Sequence, residues 1–327
     1  MAAKIRFGDT EDIIDICMDN VFKAVFTKDT PASQTALSKL VSAIIDREVK
    51  IIVITANEPA IENLRDRQTR FDISCRDDNG ELLNVEMSLN PDTFEPVRLE
   101  FHAAKLFTSQ DIRGSEKTYD DLKRAYQITI LGKDRFFPDL DFFHSFEYYD
   151  PKRRISLNGR TMILTLELSK LKDIAKKPTR EMTVQELWAV YFRYLTDNSM
   201  RKKINEIIEQ EEGIAMASEV LLEISRDEVE RVRLMSEYKY QLDMQSKLVQ
   251  AKRQARKEGL EEGREEGREE GREEGREEGR EEGKIIGEKR GIQKANLENA
   301  LAMKRLGISV ENICTITGLS SETIEKL

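Results

Sequence analysis

The sequence predicts a mixed domain of strands and helices, of the α/β or α+β class, followed by a helical C-terminal extension. Three observations carry this reading of the 327 residues. Within residues 1–178, short apolar or alternating runs are separated by amphipathic helical stretches. Residues 179–258 keep a helical period. Residues 259–291 place glycine at every fourth position in a charged background, and a compact helical unit follows over residues 292–327.

Taken in order, helices are expected over residues 20–26 and 32–45, then a strand over the apolar run 51–54. Two strands with period-two alternation follow, 70–76 and 81–89, separated by Asp77-Asp78-Asn79-Gly80, a hairpin signal. A long helix over 96–112, a second after Tyr119, and strands over 128–131 and 162–168 complete the first domain. In the helical region Val184, Leu187, Trp188, Tyr191, Phe192 and Leu195 recur at helical spacing. Val220, Leu221, Ile224, Val229, Val232, Met235 and Tyr238 do the same, and both stripes read as core. The region ends in Lys247, Lys252, Arg253, Arg256 and Lys257, a basic tail open to phosphate contact or to simple solvation.

The repeat itself has glycines four apart from 259 to 291, with Arg-Glu-Glu filling five of the intervals. Each glycine costs roughly 1 kcal/mol against alanine inside a helix. Glu–Arg pairs three apart return only about 0.2–0.5 kcal/mol each. Residues 261–283 contain no apolar side chain, so no face can be buried. A solvated spacer is expected, part helical and part frayed, carrying no chemistry. Beyond it, Leu297, Leu301 and Met303 lead to Leu306-Gly307, where glycine stops a helix. Ser309 then begins a short helix holding Val310, Ile313 and Ile316, Gly318 ends it, and Ser320 begins a third. The arrangement is similar to a helix-turn-helix. Its last helix offers only Lys326 to a phosphate, so homo-oligomerisation or another interaction stands beside DNA reading there.

Charged residues make up 35% of the chain and the formal net charge is −9. The acidity is local. Residues 260–283 hold twelve Glu and five Arg, a net of −7, which leaves −2 for the rest and keeps nucleic acid open as a partner. No apolar run is long enough for a membrane span, so no membrane partner is expected. The opening MAAKIRFGDTEDIIDICMDN puts charges where a signal peptide needs apolar residues. Cys17, Cys75 and Cys314 are odd in number and scattered, unsuited to a disulfide framework or a zinc site. A cytoplasmic protein with reduced thiols is expected.

The hairpin carries the chemistry. Leu83, Val85, Met87 and Leu89 share one face of the second strand, opposite Leu82, Asn84, Glu86 and Ser88. In the first strand Phe71, Ile73 and Cys75 alternate with Arg70, Asp72, Ser74 and Arg76. A three-residue loop 78–80, with Gly80 in the left-handed conformation, aligns both apolar faces; a two-residue loop would set Ile73 against Glu86. The chosen register opposes Asp72 and Glu86, with Cβ atoms about 4.5–5.5 Å apart. Two like charges at that distance call for a proton or a cation between them. They suit a hard divalent ion, which activates water and neutralises charge developing on a phosphate. The alternative is an exposed acidic pair on a solvated sheet face.

The segment TRFDISCRDDNGELLNVEMSLN resembles the motif of the PD-(D/E)XK nuclease superfamily, an Asp on one strand followed by Glu-x-Lys on the next. Within that superfamily it more closely resembles the recombination-promoting nuclease (Rpn) or transposase branch. DNVFKAVF (residues 19–26) resembles the opening Asp-x-x-Phe-Lys helix of that branch, and residues 98–105 its Arg-led helix. The Gly-Arg-Glu-Glu spacer followed by ITGLSSETIEKL looks like its usual tail. The resemblance implies a restriction-endonuclease-like α/β core, with a mixed sheet flanked by helices. It further implies a Mg²⁺- or Mn²⁺-dependent DNA endonuclease linked to recombination or transposition, with Asp72 and Glu86 as metal ligands.

Ser88 departs from the motif, because the superfamily has Lys there and this branch usually Gln. A serine hydroxyl is shorter and uncharged, so a catalytically weakened protein that binds DNA or protein is the rival reading. Arg98, His102 and Lys105 stand at i, i+4 and i+7 on the following helix, one polar stripe that is either solvated or able to replace the missing charge. On the catalytic reading Asp72, Glu86, Ser88 and Lys105 form the site, with Arg98 and Lys105 next to the DNA phosphate.

Overall fold

The computed structural model describes residues 5–55, 72–114, 116–132 and 134–327. Helices α1 (Asp19–Thr27) and α2 (Pro31–Ile45) lead into strand β1 (Ile51–Ile54) and the hairpin of β2 (Ile73–Asp77) and β3 (Leu82–Ser88). Helix α3 (Glu95–Thr108), β4 (Ala125–Leu131), β5 (Phe143–Phe146), the ribbon β6 (Tyr149–Asp150) and β7 (Ile155–Ser156), and β8 (Thr161–Glu167) follow. The remaining helices are α4 (Val184–Tyr194), α5 (Arg201–Gln210), α6 (Glu212–Arg226), α7 (Glu228–Arg305), α8 (Val310–Thr317) and α9 (Ser321–Glu325). Two compact units result, Met1–Asp243 and Met244–Leu327.

In the first unit a mixed sheet runs in the order β1-β2-β3-β4-β8-β5. Its centre, β3, β4 and β8, is parallel, and the outer pairings are antiparallel. One face is apolar: Ile73, Cys75, Leu83, Val85, Met87, Ile128, Ile130 and Leu166 join one buried core with Phe22, Phe26, Leu37, Leu40 and Trp188 from the helices. The helices that reach this core begin where local chemistry stops the alternatives. Thr30 accepts the backbone N–H of Ser33 ahead of Pro31, and Thr183 with Glu186 closes a reciprocal cap at the start of α4. The other face of the sheet is polar and lies under α3.

Several expectations need correction. The helix expected after Tyr119 is a single 3₁₀ turn, Tyr119–Asp121, because Thr118 and Asp121 cap one another and the chain turns at once into β4. Strands β5, β6 and β7 were not legible in the pattern, being only two to four residues long. Val220, Leu221 and Ile224 are buried as expected, but Val229 and Val232 are 80% and 63% exposed. Past Asp227 the chain restarts as α7, and Leu234 alone of its first turns enters the core. The glycine repeat is helical throughout, inside one element of 78 residues. Fraying belongs to helix ends, and the repeat has none, since helix continues on both sides of it.

In the second unit Ala300, Ile313 and Ile324 form a small core with Met303, Val310 and Leu319 around it. Gly307 and Gly318 take positive φ, +78° and +69°, and set the turns between its helices. Ser309 and Ser320 occupy the cap positions without a side-chain cap bond, and Ile316, expected inside, is 63% exposed.

Candidate active site under helix α3

The hairpin has the three-residue loop. Gly80 has φ +76°, its N–H donates to the Asp77 carbonyl at 3.0 Å, and Asp77 N–H donates to Glu81 at 3.2 Å. Asp77 Oδ1 accepts the N–H groups of Asn79 and Glu81 and holds the turn closed. The register is Ile73 to Val85, Ser74 to Asn84, Cys75 to Leu83 and Arg76 to Leu82. Residues 70 and 71, expected in the first strand, lie outside the described residues. Carried one residue beyond β2, the same register sets Asp72 opposite Glu86. There Asp72 Oδ2 accepts the backbone N–H of Met87 at 3.1 Å.

The polar face is not solvated. Asn84, Glu86, Ser88, Gln127, Thr129, Thr165 and Glu167 are all buried, so the reading of an exposed acidic pair is overturned. Burying such groups is tolerable only when they bond one another. Asn84 Nδ2 donates to Glu86 Oε1 at 2.8 Å and to Gln127 Oε1 at 2.7 Å, and Gln127 donates to Thr129 at 3.1 Å. From α3, His102 Nδ1 donates to Glu86 Oε1 at 2.7 Å. Burial alone would raise the pKa of Glu86; the bond from His102, with the charges of His102 and Arg98, brings it below the usual carboxylate range. Glu86 is an anion held ready.

Asp72 has the opposite balance. Burial and the neighbouring charge of Asp19 push its carboxyl up to about 7, against the pull of Lys23. Both partners come from α1. Lys23 Nζ lies 3.0 Å from Asp72 Oδ1 and 3.2 Å from Asp19 Oδ2. Asp19 and Lys23 are the two residues of this corner that sequence reasoning did not assign a role. Their only signal was the Asp-x-x-Phe-Lys pattern, which sets a carboxylate and an ammonium one helical turn apart while Phe22 faces the core.

The polar stripe of α3 divides. Arg98 Nη1 stands 3.9 Å from Glu86 Oε2, although its closer partner is Glu95 at 2.5 Å. His102 is at the site. Lys105 is half-buried one turn further on, where Leu106 packs with Leu82 and Ala125 at the start of the parallel strands. Among the described residues its ammonium pairs with neither Asp72 nor Glu86. Ser88 shares the face of Glu86 and is 9% exposed. Glu167, in line with Ser88 through Leu131, has other work: it accepts the N–H groups of Phe136 and Phe137 and the charge of Lys170 at 2.9 Å.

The donors fit a hard divalent cation. Asp19 Oδ1 and Glu86 Oε2 are buried and accept no hydrogen bond from the described residues, and a cation, the Lys23 ammonium, already stands between Asp19 and Asp72. Among the described residues no group of three or more His, Cys, Asp or Glu forms a complete cage. Magnesium seldom requires one, since it is commonly held by one or two carboxylates with waters and substrate phosphate.

A mixed six-stranded sheet flanked by helices, with opposed acidic residues on its central hairpin, defines a restriction-endonuclease-like core. Residues 16–251 match the profile of the PD-(D/E)XK nuclease family transposases, and the chain belongs to that family. No curated protein and no solved structure matches it.

Proposed function

We propose that the protein is a divalent-metal-dependent DNA endonuclease that hydrolyses phosphodiester bonds in recombination or transposition. The observation that carries this is the opposition of Asp72 and Glu86 on a buried hairpin face, in a chain whose family is a nuclease family. Asp72 and Glu86 would hold Mg²⁺ or Mn²⁺, which when bound activates water and offsets charge on the phosphate. The chain does the rest. His102 and Asn84 fix the orientation and charge of Glu86. Arg98, whose side chain is 43% exposed, lies close enough to meet a phosphate oxygen. Ser88 offers a hydroxyl on the same face. Lys105, a turn away, is the weakest member of the expected set.

A second reading, a catalytically weakened DNA- or protein-binding member, is favoured by one observation: the residue two beyond Glu86 is the uncharged Ser88. No helix among the described residues is long and apolar enough to cross a membrane. A cytoplasmic location and self-association through the C-terminal helical parts belong to the same proposal. Purified full-length protein should nick supercoiled plasmid in Mg²⁺ or Mn²⁺ but not in chelator, and Asp72→Ala should abolish nicking. Intact plasmid in both metals, with DNA binding retained, would establish the second reading instead.

A further inference from the structure

We propose that Lys23, on α1, supplies the ammonium that position 88 lacks, and that in the metal-free protein it is the counter-charge on Asp72, held there with Asp19, that a divalent ion on Asp72 and Glu86 would have to displace. This rests on the nuclease reading for its catalytic half and on geometry for the other.

Three observations lead to it. The residue two beyond Glu86 on the same face is Ser88, whose side chain ends in a neutral hydroxyl. The lysine that touches one of the opposed carboxylates is Lys23, 3.0 Å from Asp72 and 3.2 Å from Asp19, while Glu86 is met by His102 and, at 3.9 Å, by Arg98. Lys105 does not touch them. Lys23 also sits on the polar side of an otherwise core-facing helix, where Val21, Phe22, Val25 and Phe26 are buried. Helix α1 is therefore held fast while the lysine keeps a flexible four-carbon stem and a compact point charge.

Such a side chain can hold either of two positions. With no divalent ion present, the ammonium neutralises a crowded pair of acids, which otherwise repel at close range. Were Asp72 and Glu86 to hold a divalent ion, its like charge would displace the ammonium from Asp72. Asp19, one helical turn before it, still tethers it at the edge of the site. From there it faces a phosphate bound across the carboxylates, where it can stabilise the developing anion. Asp19 is then a positioning residue for Lys23, which explains why a third carboxylate stands in this corner.

The test is Lys23→Met in the full-length chain, with Lys23→Gln as a second variant should the first fail to fold. Two readouts are taken: calorimetric titration with Mn²⁺ alone, and plasmid cleavage. Removing a like charge from the ion's position should tighten Mn²⁺ binding by on the order of tenfold. Cleavage should fall by roughly a hundredfold to a thousandfold, the usual worth of one well-placed charge. Adding Ser88→Lys to Lys23→Met should restore cleavage by at least about tenfold, because a lysine there points into the same space. Weaker or unchanged Mn²⁺ binding overturns the placeholder role, since Lys23 would then only hold Asp72 in position. Undiminished cleavage, or no rescue by Ser88→Lys, overturns the catalytic role. A natural chain that binds Mn²⁺ yet never cuts DNA refutes the nuclease reading, and the catalytic half of the proposal falls with it, while the Mn²⁺ titration still decides the other half.

Discussion

In the sheet, Glu86 is 2% exposed and receives hydrogen bonds from Asn84 and His102, with Arg98 close by. Along α7, twelve glutamates between residues 260 and 283 stand in solvent with arginines three residues away. The side chain is the same, and the consequence is not. A charge in water is screened within about 10 Å at moderate salt and perturbs nothing beyond its neighbours. A charge with the water removed must be answered by fixed donors, and those donors then orient it for chemistry. Composition ranks α7 as the most charged part of the chain, but the charge on which the proposed reaction depends is under α3.

The comparison can be broken most sharply by exchanging one glutamate in each region for glutamine. Glu86→Gln keeps the shape and removes the charge; metal-dependent plasmid cleavage should fall by at least about a thousandfold, with native circular dichroism retained. Glu265→Gln should change neither cleavage nor melting. Loss of activity from the second variant would show that the repeat takes part in the site.

A smaller effect separates the glycines. A Cβ at Gly132 would overlap the Leu89 carbonyl, and the Gly132 N–H donates to Ser88 at 2.7 Å, so the two chain segments that leave β3 and β4 are pressed together. Gly132→Ala should cost about 1–3 kcal/mol and lower the melting temperature of the first unit by several degrees. At Gly267 a Cβ meets nothing. Gly267→Ala should raise helix stability by up to about 1 kcal/mol, seen as a small gain in helical dichroism. Equal effects at both positions would mean that α7 packs against something.

The smallest expected effect is that of removing residues 260–283 altogether. With no apolar face to lose, the first unit should melt within about 1 °C of the full chain. A large fall would contradict the solvated reading of the repeat.

Much of this architecture was legible in the residues themselves. The alternation in residues 72–76 and 82–88, with Gly80 after Asp77-Asp78-Asn79, selected a register that the structure repeats pair by pair, because a one-residue slip would turn every apolar side chain to the wrong face. The Asp72–Glu86 opposition followed from that arithmetic, and the family resemblance from the motif around it. Local signals also placed α1, α2 and β1 closely; the stripe expected as core in the helical region is buried from Leu187 to Leu195, while Val184 is 43% exposed.

What period-two alternation cannot report is what covers each face. It marked Asn84, Glu86 and Ser88 as polar and left a cation site and a solvated face both open; only the return of α3 across the sheet buried them and made His102 a partner of Glu86. The same limit applies to α7, whose Val229 and Val232 keep the helical spacing of a core with no core to meet. It applies to Lys23 most of all. Nothing local ties a lysine on the first helix to an aspartate before the second strand. That contact exists because Phe22 and Phe26 anchor α1 in the core beside the hairpin, which brings the half-buried ammonium within reach of the acids whose charge it answers.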